Sequence, residues 1–435
     1  MVDVTDHVAG LNTRKVVFGI TFEQLILLLY PTFLIPVLYL WLQDLKRRRQ
    51  RTVAPRGCVK LGVRGKSNAD DEFDTRYSGG TDDQAEWRVK AIYIWPVKSC
   101  GPVELDSTDV DAEGLTYDRK FAFAELLPPN PVAAGASEEE RKPKWTFRTL
   151  RQPGYEKLAL VKAEVWIPRE GAAEDHRLPR AQREGSLIVR YPYEPTGFLA
   201  KLDEFAISCG LISHERSFRV PLNPLQDHHY PHETVNIWRD NPAWLNMGEH
   251  LPDDFQRWLG VKHPLSLFRA DPEAYRKVMR CAPRADQVGY QPVAAFQDAY
   301  PLNLLNLASV RDVADKVADS IPRFSNRRFR TNFLLTGPPA YDEDDWKRIK
   351  LGHHEIYCAC RTVRCRLPNV DPDTAIRHPS EPDKTLKATR CIDAGDPLNA
   401  CLGLQLVPAS NARVRIAVGD QVHVLERGAH HYIKQ

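Results

Sequence analysis

An uncharged run from Leu25 to Leu42, LILLLYPTFLIPVLYLWL, constrains this chain more than any other feature. With Phe18 to Phe22 just upstream, and only Glu23 and Gln24 between, it approaches the roughly 20 apolar residues that cross a bilayer. Pro31 and Pro36 would kink a soluble helix, whereas membrane helices tolerate proline when neighbouring groups satisfy the freed carbonyls. Tyr39 and Trp41 supply interfacial rings near one end, and Lys46-Arg47-Arg48-Arg49-Gln50-Arg51 comes directly after. The positive-inside rule holds such a run on the cytosolic face. Two other readings compete. A cleaved signal peptide has a shorter apolar core and a small-residue cleavage site, which this run lacks, and a buried helix of a soluble domain is the blander option. The sequence therefore predicts an arm over 1–19, a single transmembrane helix over 20–43, and the bulk of the chain in the cytosol.

The remainder of the chain has ordinary globular chemistry. The 435 residues are 43% hydrophobic and 27% charged, enough for a packed interior and about two domains. Sixty basic and 57 acidic side chains leave a net charge of +3, too balanced to argue for a nucleic-acid partner. Nine irregularly spaced cysteines do not resemble a secreted disulfide framework and fit a reducing compartment.

Residues 44–86 are rich in Arg, Lys, Gly, Asp and Ser and read as a polar tether. Order is expected from Trp87, where WRVKAIYIWPV has the β-branched alternation of a strand. Further strands are predicted at Arg119–Ala124, Leu158–Trp166, Ser186–Tyr191, Thr331–Leu335, Leu404–Val407 and Val418–Leu425. Helices are predicted at Thr196–Cys209, Pro252–Leu259 and Ser309–Asp319. Two segments, Leu127–Lys144 and Arg169–Glu184, are dominated by Pro, Ala, Glu, Gly and Arg and read as surface insertions. Strands mixed with short helices, without a repeat or a Gly-rich phosphate loop, imply an α+β, barrel-like architecture rather than a doubly wound sheet.

The densest chemistry lies at Arg364-Cys365-Arg366-Leu367-Pro368-Asn369-Val370-Asp371-Pro372-Asp373-Thr374. Flanking guanidinium groups favour a thiolate, which is a nucleophile or a soft-metal ligand. A buried cysteine acting as a small hydrophobe is equally open on these grounds. Cys358 and Cys360, with His353 and His354, raise a zinc or iron-sulfur reading, but Cys-X-Cys does not match the familiar zinc spacings and YCAC reads as a strand end with structural cysteines. Lys98 and Ser99, closing the first globular strand, offer an ammonium and a hydroxyl to an anion or simply form a polar turn. Arg119, and Arg328-Phe329-Arg330-Thr331-Asn332, add guanidinium groups suited to bidentate phosphate contacts or to surface ion pairs.

Together, IYIWPVKSC at Ile92–Cys100, GLTYDRKFA at Gly114–Ala122, RFRTNFLL at Arg328–Leu335, RCRLPNVDPDT at Arg364–Thr374 and VRIAVGDQVHVL near the end resemble the MOSC superfamily, and within it the mitochondrial amidoxime-reducing group. The resemblance implies a β-rich MOSC N-terminal domain over 87–262 packed with a β-barrel MOSC domain over 263–428, and a molybdopterin-bound molybdenum (Moco) in the cleft between them. It implies Cys365 as metal ligand, and Lys98, Ser99, Arg119, Arg330, Asn332, Arg364 and Asp373 as cofactor-binding residues. Asp371, in the same turn beside the metal, or a bound water is expected to assist proton delivery as the general acid. The family carries an amino-terminal helix on the mitochondrial outer membrane, facing the cytosol; the endoplasmic reticulum would suit a similar anchor.

The implied activity is reduction of small N-hydroxylated compounds, with electrons from a separate cytochrome b-type haem protein and a flavin reductase. The chain itself has no Rossmann fingerprint for taking hydride. A Moco carrier or sulfur-transfer module without reductase activity is the alternative from another class, and a membrane scaffold with a degenerate site is a third. One departure stands out: where the family has a Thr-Ser pair before a proline, this chain has Ala299-Tyr300 before Pro301.

Overall fold

The computed structural model describes residues 22–50, 54–129, 142–224 and 230–434, with side chains of the first helix described over 29–44. It divides into two compact units, one of residues 1–51 and 193–216, the other of residues 52–192 and 217–435.

In the first unit a helix runs from Phe22 to Gln50, with Pro31 and Pro36 inside it. A helix was expected here, but not its extent. It does not stop at Leu42 and carries the apolar segment and the cations beyond it on one rod. Among the described residues no helix is long and apolar enough to cross a membrane; residues 20–21 and the side chains of residues 22–28, part of the expected 20–43 span, lie outside them. The arm over 1–19 and the side chains of Leu25–Leu28 lie outside the described residues. The second helix of this unit is Ala200–Ser208, within the predicted Thr196–Cys209.

The second unit is built on an eight-stranded sheet in the order Val422–Arg427, Trp346–Leu351, His354–Val363, Cys401–Pro408, Leu302–Asn306, Phe333–Thr336, Arg88–Ile94, Val103–Leu105. Its one parallel junction, Leu302–Asn306 with Phe333–Thr336, requires a crossover. Helix Leu307–Lys316 supplies it, started by the Asn306 side chain accepting from the Ala308 N–H at 3.1 Å. Leu307, Val310, Val313 and Ala314 fall on one helical face and pack on Ala91, Tyr93 and Trp95.

A closed five-stranded barrel joins His232–Asn236, Ala243–Asn246, Leu265–Arg269, Phe121–Leu127 and Lys144–Phe147. Alternation along Phe121–Leu127 feeds two cores: Phe121 and Phe123 face one cluster, Ala122 and Ala124 the barrel interior with Trp244, Phe268 and Phe296. The β-rich, barrel-containing α+β class is thus as expected. The linear division at 262/263 is not how the strands pair, because Leu265–Arg269 lies against Phe121–Leu127 and Arg88–Ile94 against Phe333–Thr336.

Much of the supposed tether is also packed. Cys58–Lys60 pairs antiparallel with Lys162–Pro168. Glu72 is buried and accepts from Ser325 Oγ and the Asn326 N–H, both at 2.8 Å, and from Asn326 Nδ2 at 2.6 Å. A polar composition hid this because the segment is held by hydrogen bonds more than by apolar burial. Of the two insertions, Arg169–Glu184 is turn-rich with a short helix at Arg180–Arg183, and 130–141 of the other lies outside the described residues.

Candidate functional site

Within the second unit a cleft of about 780 Å³ is lined by Lys98, Ser99, Arg119, Arg330, Asn332, Arg364 and Cys365, residues that lie up to 267 positions apart (365 − 98). Strand ends bring them there. Lys98 and Ser99 follow strand Arg88–Ile94, Arg119 precedes Phe121–Leu127, Arg330 and Asn332 precede Phe333–Thr336, and Arg364 and Cys365 follow His354–Val363. Ser99, Arg119 and Arg330 have φ of 70°, 49° and 54°, as does Trp238 of the cleft wall at 55°. Four non-glycine residues in the sparsely allowed left-handed region around one cavity mark backbone held in place by its surroundings.

Burial dominates the electrostatics. Lys98 Nζ donates to Phe296 O at 2.7 Å and to Asp298 Oδ1 at 2.6 Å. Its pKa is nevertheless pushed down to about 8, because burial outweighs the carboxylate beside it. Asp298, half exposed toward the cleft, is held far below the usual carboxylate range: burial works against its charge, but Lys98 and Arg151 prevail. The Ser99 hydroxyl accepts from the Leu150 N–H at 3.2 Å.

Arg119 donates to Asp118 at 2.6 Å and to Arg330 O at 2.6 Å. Arg330 lies with its guanidinium carbon 4.1 Å from the Trp95 ring centroid. Burial first, then Arg119, pushes it down to about 9, and its buried Nη2 finds no hydrogen-bond partner among the described residues. The Asn332 amide donates to Tyr93 O at 3.1 Å and accepts from the Asn303 N–H at 3.1 Å. Arg364 is anchored on Leu402 O at 2.7 Å and Phe329 O at 3.1 Å, and burial pushes it down to about 10. The Cys365 sulfur lies 3.5 Å from the Leu367 N–H.

Asp371 and Asp373 are placed otherwise than expected: neither lines the cleft. Asp371 Oδ2 pairs with Arg328 at 2.5 Å, while Oδ1 accepts the N–H groups of Asp373 and Thr374, each at 2.9 Å. Burial alone would raise its pKa, but those backbone donors and Arg328 keep it below its ordinary value. A carboxylate so engaged is an acceptor that braces the turn, not the general acid expected. Asp373 pairs with Arg327 at 2.6 and 3.0 Å on the surface.

Sequence reasoning missed Asp298, Arg151 and Trp238. Arg151 lies 4.4 Å from the Trp238 ring centroid. Burial works against its charge, yet the Cys365 sulfur, to which it hydrogen-bonds, and Asp298 hold its guanidinium above its ordinary value. Arg148-Thr149-Leu150-Arg151, directly after strand Lys144–Phe147, carried the same kind of signal as Arg119. Tyr300 is buried in an apolar cluster and donates to Arg280 O at 2.8 Å, so its ring is accommodated in the wall. Ala299 is where a hydroxyl is lacking. Cys358 and Cys360 are buried on strand His354–Val363, and burial raises the Cys358 thiol. Among the described residues no group of three or more His, Cys, Asp or Glu could hold a metal by itself.

The family model of the MOSC domain matches residues 291–423, and that of the MOSC N-terminal beta barrel domain matches residues 86–127. The chain carries a MOSC domain. Asp298, Arg330, Asn332, Arg364 and Cys365 fall within the MOSC match, and Lys98, Ser99 and Arg119 within the MOSC N-terminal match, so the two border one cleft. Arg151, Trp238, Arg276 and Arg280, also in the wall, fall between them.

The chain is similar to mitochondrial amidoxime-reducing component 1 of Mus musculus, 34% identical over 102 residues, covering 23% of this chain and 29% of that protein. It is similar to mitochondrial amidoxime reducing component 2 of Macaca fascicularis, 32% identical over 121 residues, 28% of this chain and 34% of that protein. Against molybdenum cofactor sulfurase 3 of Aedes aegypti it is 22% identical over 307 residues, 69% of this chain and 32% of that protein. The chain spans about a third of the length of each of these relatives.

The MOSC cleft fits an anionic cofactor on its own geometry. Eleven Lys and Arg side chains line it against three Asp. Arg330, desolvated and with a nitrogen left unpaired, costs folding free energy that a bound anion would offset. The sulfur of Cys365 is the one cysteine thiol in this lining.

Proposed function

We propose that the cleft binds a molybdopterin-bound molybdenum with Cys365 as the protein ligand, and that the protein is an oxidoreductase acting on small N-hydroxylated compounds. Electrons come from a cytochrome b-type haem protein and a flavin reductase. The observation that carries this reading is a cysteine sulfur sharing one cavity with Arg330, whose buried Nη2 lacks a hydrogen-bond partner among the described residues. The names of the amidoxime-reducing relatives support the reaction class and a mitochondrial setting.

Reduction of an N-hydroxyl group to N–H with release of water consumes two electrons and two protons. When bound, the molybdenum cofactor supplies a two-electron couple and an acceptor for the departing oxygen. Arg119, Arg330 and Arg364 hold its anionic portion, Arg330 with the nitrogen that is otherwise unpaired. Lys98, with a pKa of about 8, holds a proton at Nζ beside Asp298 and can release it near neutral pH. Arg151, over the Trp238 ring and facing the Cys365 sulfur, would orient an oxygen presented there. Asp371 holds the turn after Cys365 in shape.

A second reading, a Moco carrier or sulfur-transfer module, is favoured by one observation: the match to the sulfurase spans 69% of the chain. Cys365 would then hold a persulfide or a cofactor in transit. Metal analysis of the purified full chain, with an amidoxime-reduction assay supplied with both electron-transfer proteins, separates the readings. Stoichiometric molybdenum, with turnover lost in Cys365→Ala, supports the reductase. Molybdenum without turnover favours the carrier, and absence of both overturns the two and leaves a scaffold.

A further inference from the structure

Packed with Tyr300 and Tyr432 of the cleft wall are two more free thiols. Cys360 lies fully buried on strand His354–Val363, and Cys281 comes from the loop that also carries Arg280 of the cleft lining. Both belong to one apolar cluster with Tyr300, Ala359 and Val407. The two sulfurs are within hydrogen-bonding contact of each other, and the Tyr300 hydroxyl reaches both. Cys281 is partly exposed, has the left-handed φ of 57°, and accepts from the Ile433 N–H at 3.1 Å.

The pair is asymmetric. Contact with the Cys360 thiol, aided by the Ile433 N–H and against burial, holds Cys281 down to about 6. Cys360 is pushed well above its ordinary value by Cys281 first and by burial second. Cys281, whose sulfur also faces His431 O at 3.5 Å and Ile433 O at 3.8 Å, is thus the member of the pair that solvent reaches, and Cys360 the buried one, able to attack once the first has reacted.

We propose that Cys281 and Cys360 form an oxidant-sensitive dithiol that a peroxide converts into an intramolecular disulfide. The Cys281 thiolate attacks one peroxide oxygen, the O–O bond breaks, and Cys281 becomes a sulfenic acid as hydroxide leaves and is protonated to water. The Cys360 sulfur then attacks the Cys281 sulfur, the S–S bond forms, the S–O bond breaks, and a second water departs with the Cys360 proton. Two electrons pass from the sulfurs to the peroxide. The Cys281 sulfur that accepts the Ile433 N–H is then bonded to Cys360, which weakens one of the contacts of a segment whose Tyr432 and Lys434 line the cleft and which Asp393 and Arg280 also hold. Oxidation thereby loosens one wall of the site.

The test is non-reducing peptide mapping of the full-length protein titrated with hydrogen peroxide. A single linked peptide joining Cys281 to Cys360, reversed by dithiothreitol, is expected, with faster hydrogen exchange at the Ile433 amide in the oxidised form. In Cys360→Ser, a dimedone adduct on Cys281 should replace the link. Absence of the linked peptide in the wild-type protein overturns the proposal, whether Cys281 stays reduced or proceeds to sulfinic acid. The wild-type readout does not depend on how the variant folds or on which cofactor the cleft holds.

Discussion

The ammonium of Lys98 sits 2.6 Å from Asp298 Oδ1, and the two residues, 200 positions apart in the chain, face the same cleft. The ion pair is unequal. Lys98 is buried and titrates near 8, whereas Asp298 remains ionised far below neutrality.

Retention of an anionic cofactor should therefore fall as pH rises through about 8, measured as molybdenum content after gel filtration at about pH 7 and about pH 9.5. Stability moves the other way. The unfolded lysine titrates near 10.5 and binds more protons than the folded one between those values, so folding is favoured as pH rises across that window. Loss of metal without loss of melting temperature is the expected signature, and Lys98→Met should flatten it. Metal retained equally at both pH values would remove Lys98 from the binding set.

Arg330→Met should separate stability from binding. A desolvated guanidinium with an unpaired nitrogen is replaced by an apolar chain of similar length, so the metal-free protein should melt at the same temperature or higher. Cofactor affinity should drop at least roughly tenfold, the value of one charge-assisted hydrogen bond. A lower melting temperature together with full metal content would show that Arg330 serves folding instead.

Glu72→Ala removes the acceptor of three hydrogen bonds that hold Ser325 and Asn326. Leaving those buried donors unpaired should cost about 1–3 kcal/mol, measured by urea unfolding. For the same reason a chain beginning at Trp87 should be less stable than one beginning at Thr52; equal midpoints would restore the picture of residues 54–86 as a simple tether.

Glu343 is fully buried and accepts from Ser309 Oγ at 2.8 Å and Asn306 Nδ2 at 3.0 Å. Burial, with Asp344 adding to it, pushes it up to about 7. The folded state then binds more protons than the unfolded one between 4.5 and about 7, so its contribution to stability declines as pH rises through that range. Glu343→Gln should abolish the decline, on the order of 3 kcal/mol for a shift of this size. Parallel denaturation profiles for the two proteins at about pH 5 and about pH 8 would refute the assignment.

Legibility in the sequence tracked locality. Strand Arg88–Ile94 was readable from WRVKAIYI, and helix Leu307–Lys316 from its periodic apolar face, since each pattern lies within one element. The Lys98-Ser99 and Arg364-Cys365 motifs were readable because cations cluster with a thiol or hydroxyl over a few residues. Asp298 was not, as a lone carboxylate on a connecting segment whose importance comes from what the fold puts opposite it, and Arg151 was passed over although Arg148 and Arg151 follow a strand. Asp371 misled for the converse reason: its closeness in sequence to Cys365 suggested chemistry, while the turn drew both its oxygens into bonds with Asp373, Thr374 and Arg328. The first helix was legible as a helix, and so was its change from apolar residues to cations; its continuation to Gln50 was not.

The antiparallel junction of Arg88–Ile94 with Phe333–Thr336 has a consequence for biosynthesis. A nascent chain still on the ribosome would have made Lys98 and Arg119 long before Arg330 and Cys365 emerge, with Arg88–Ile94 paired only to Val103–Leu105 and its other edge still open. Whatever anion the finished protein captures must then be loaded after translation has passed Cys365, and a ribosome-stalled chain halted before that point should not retain it.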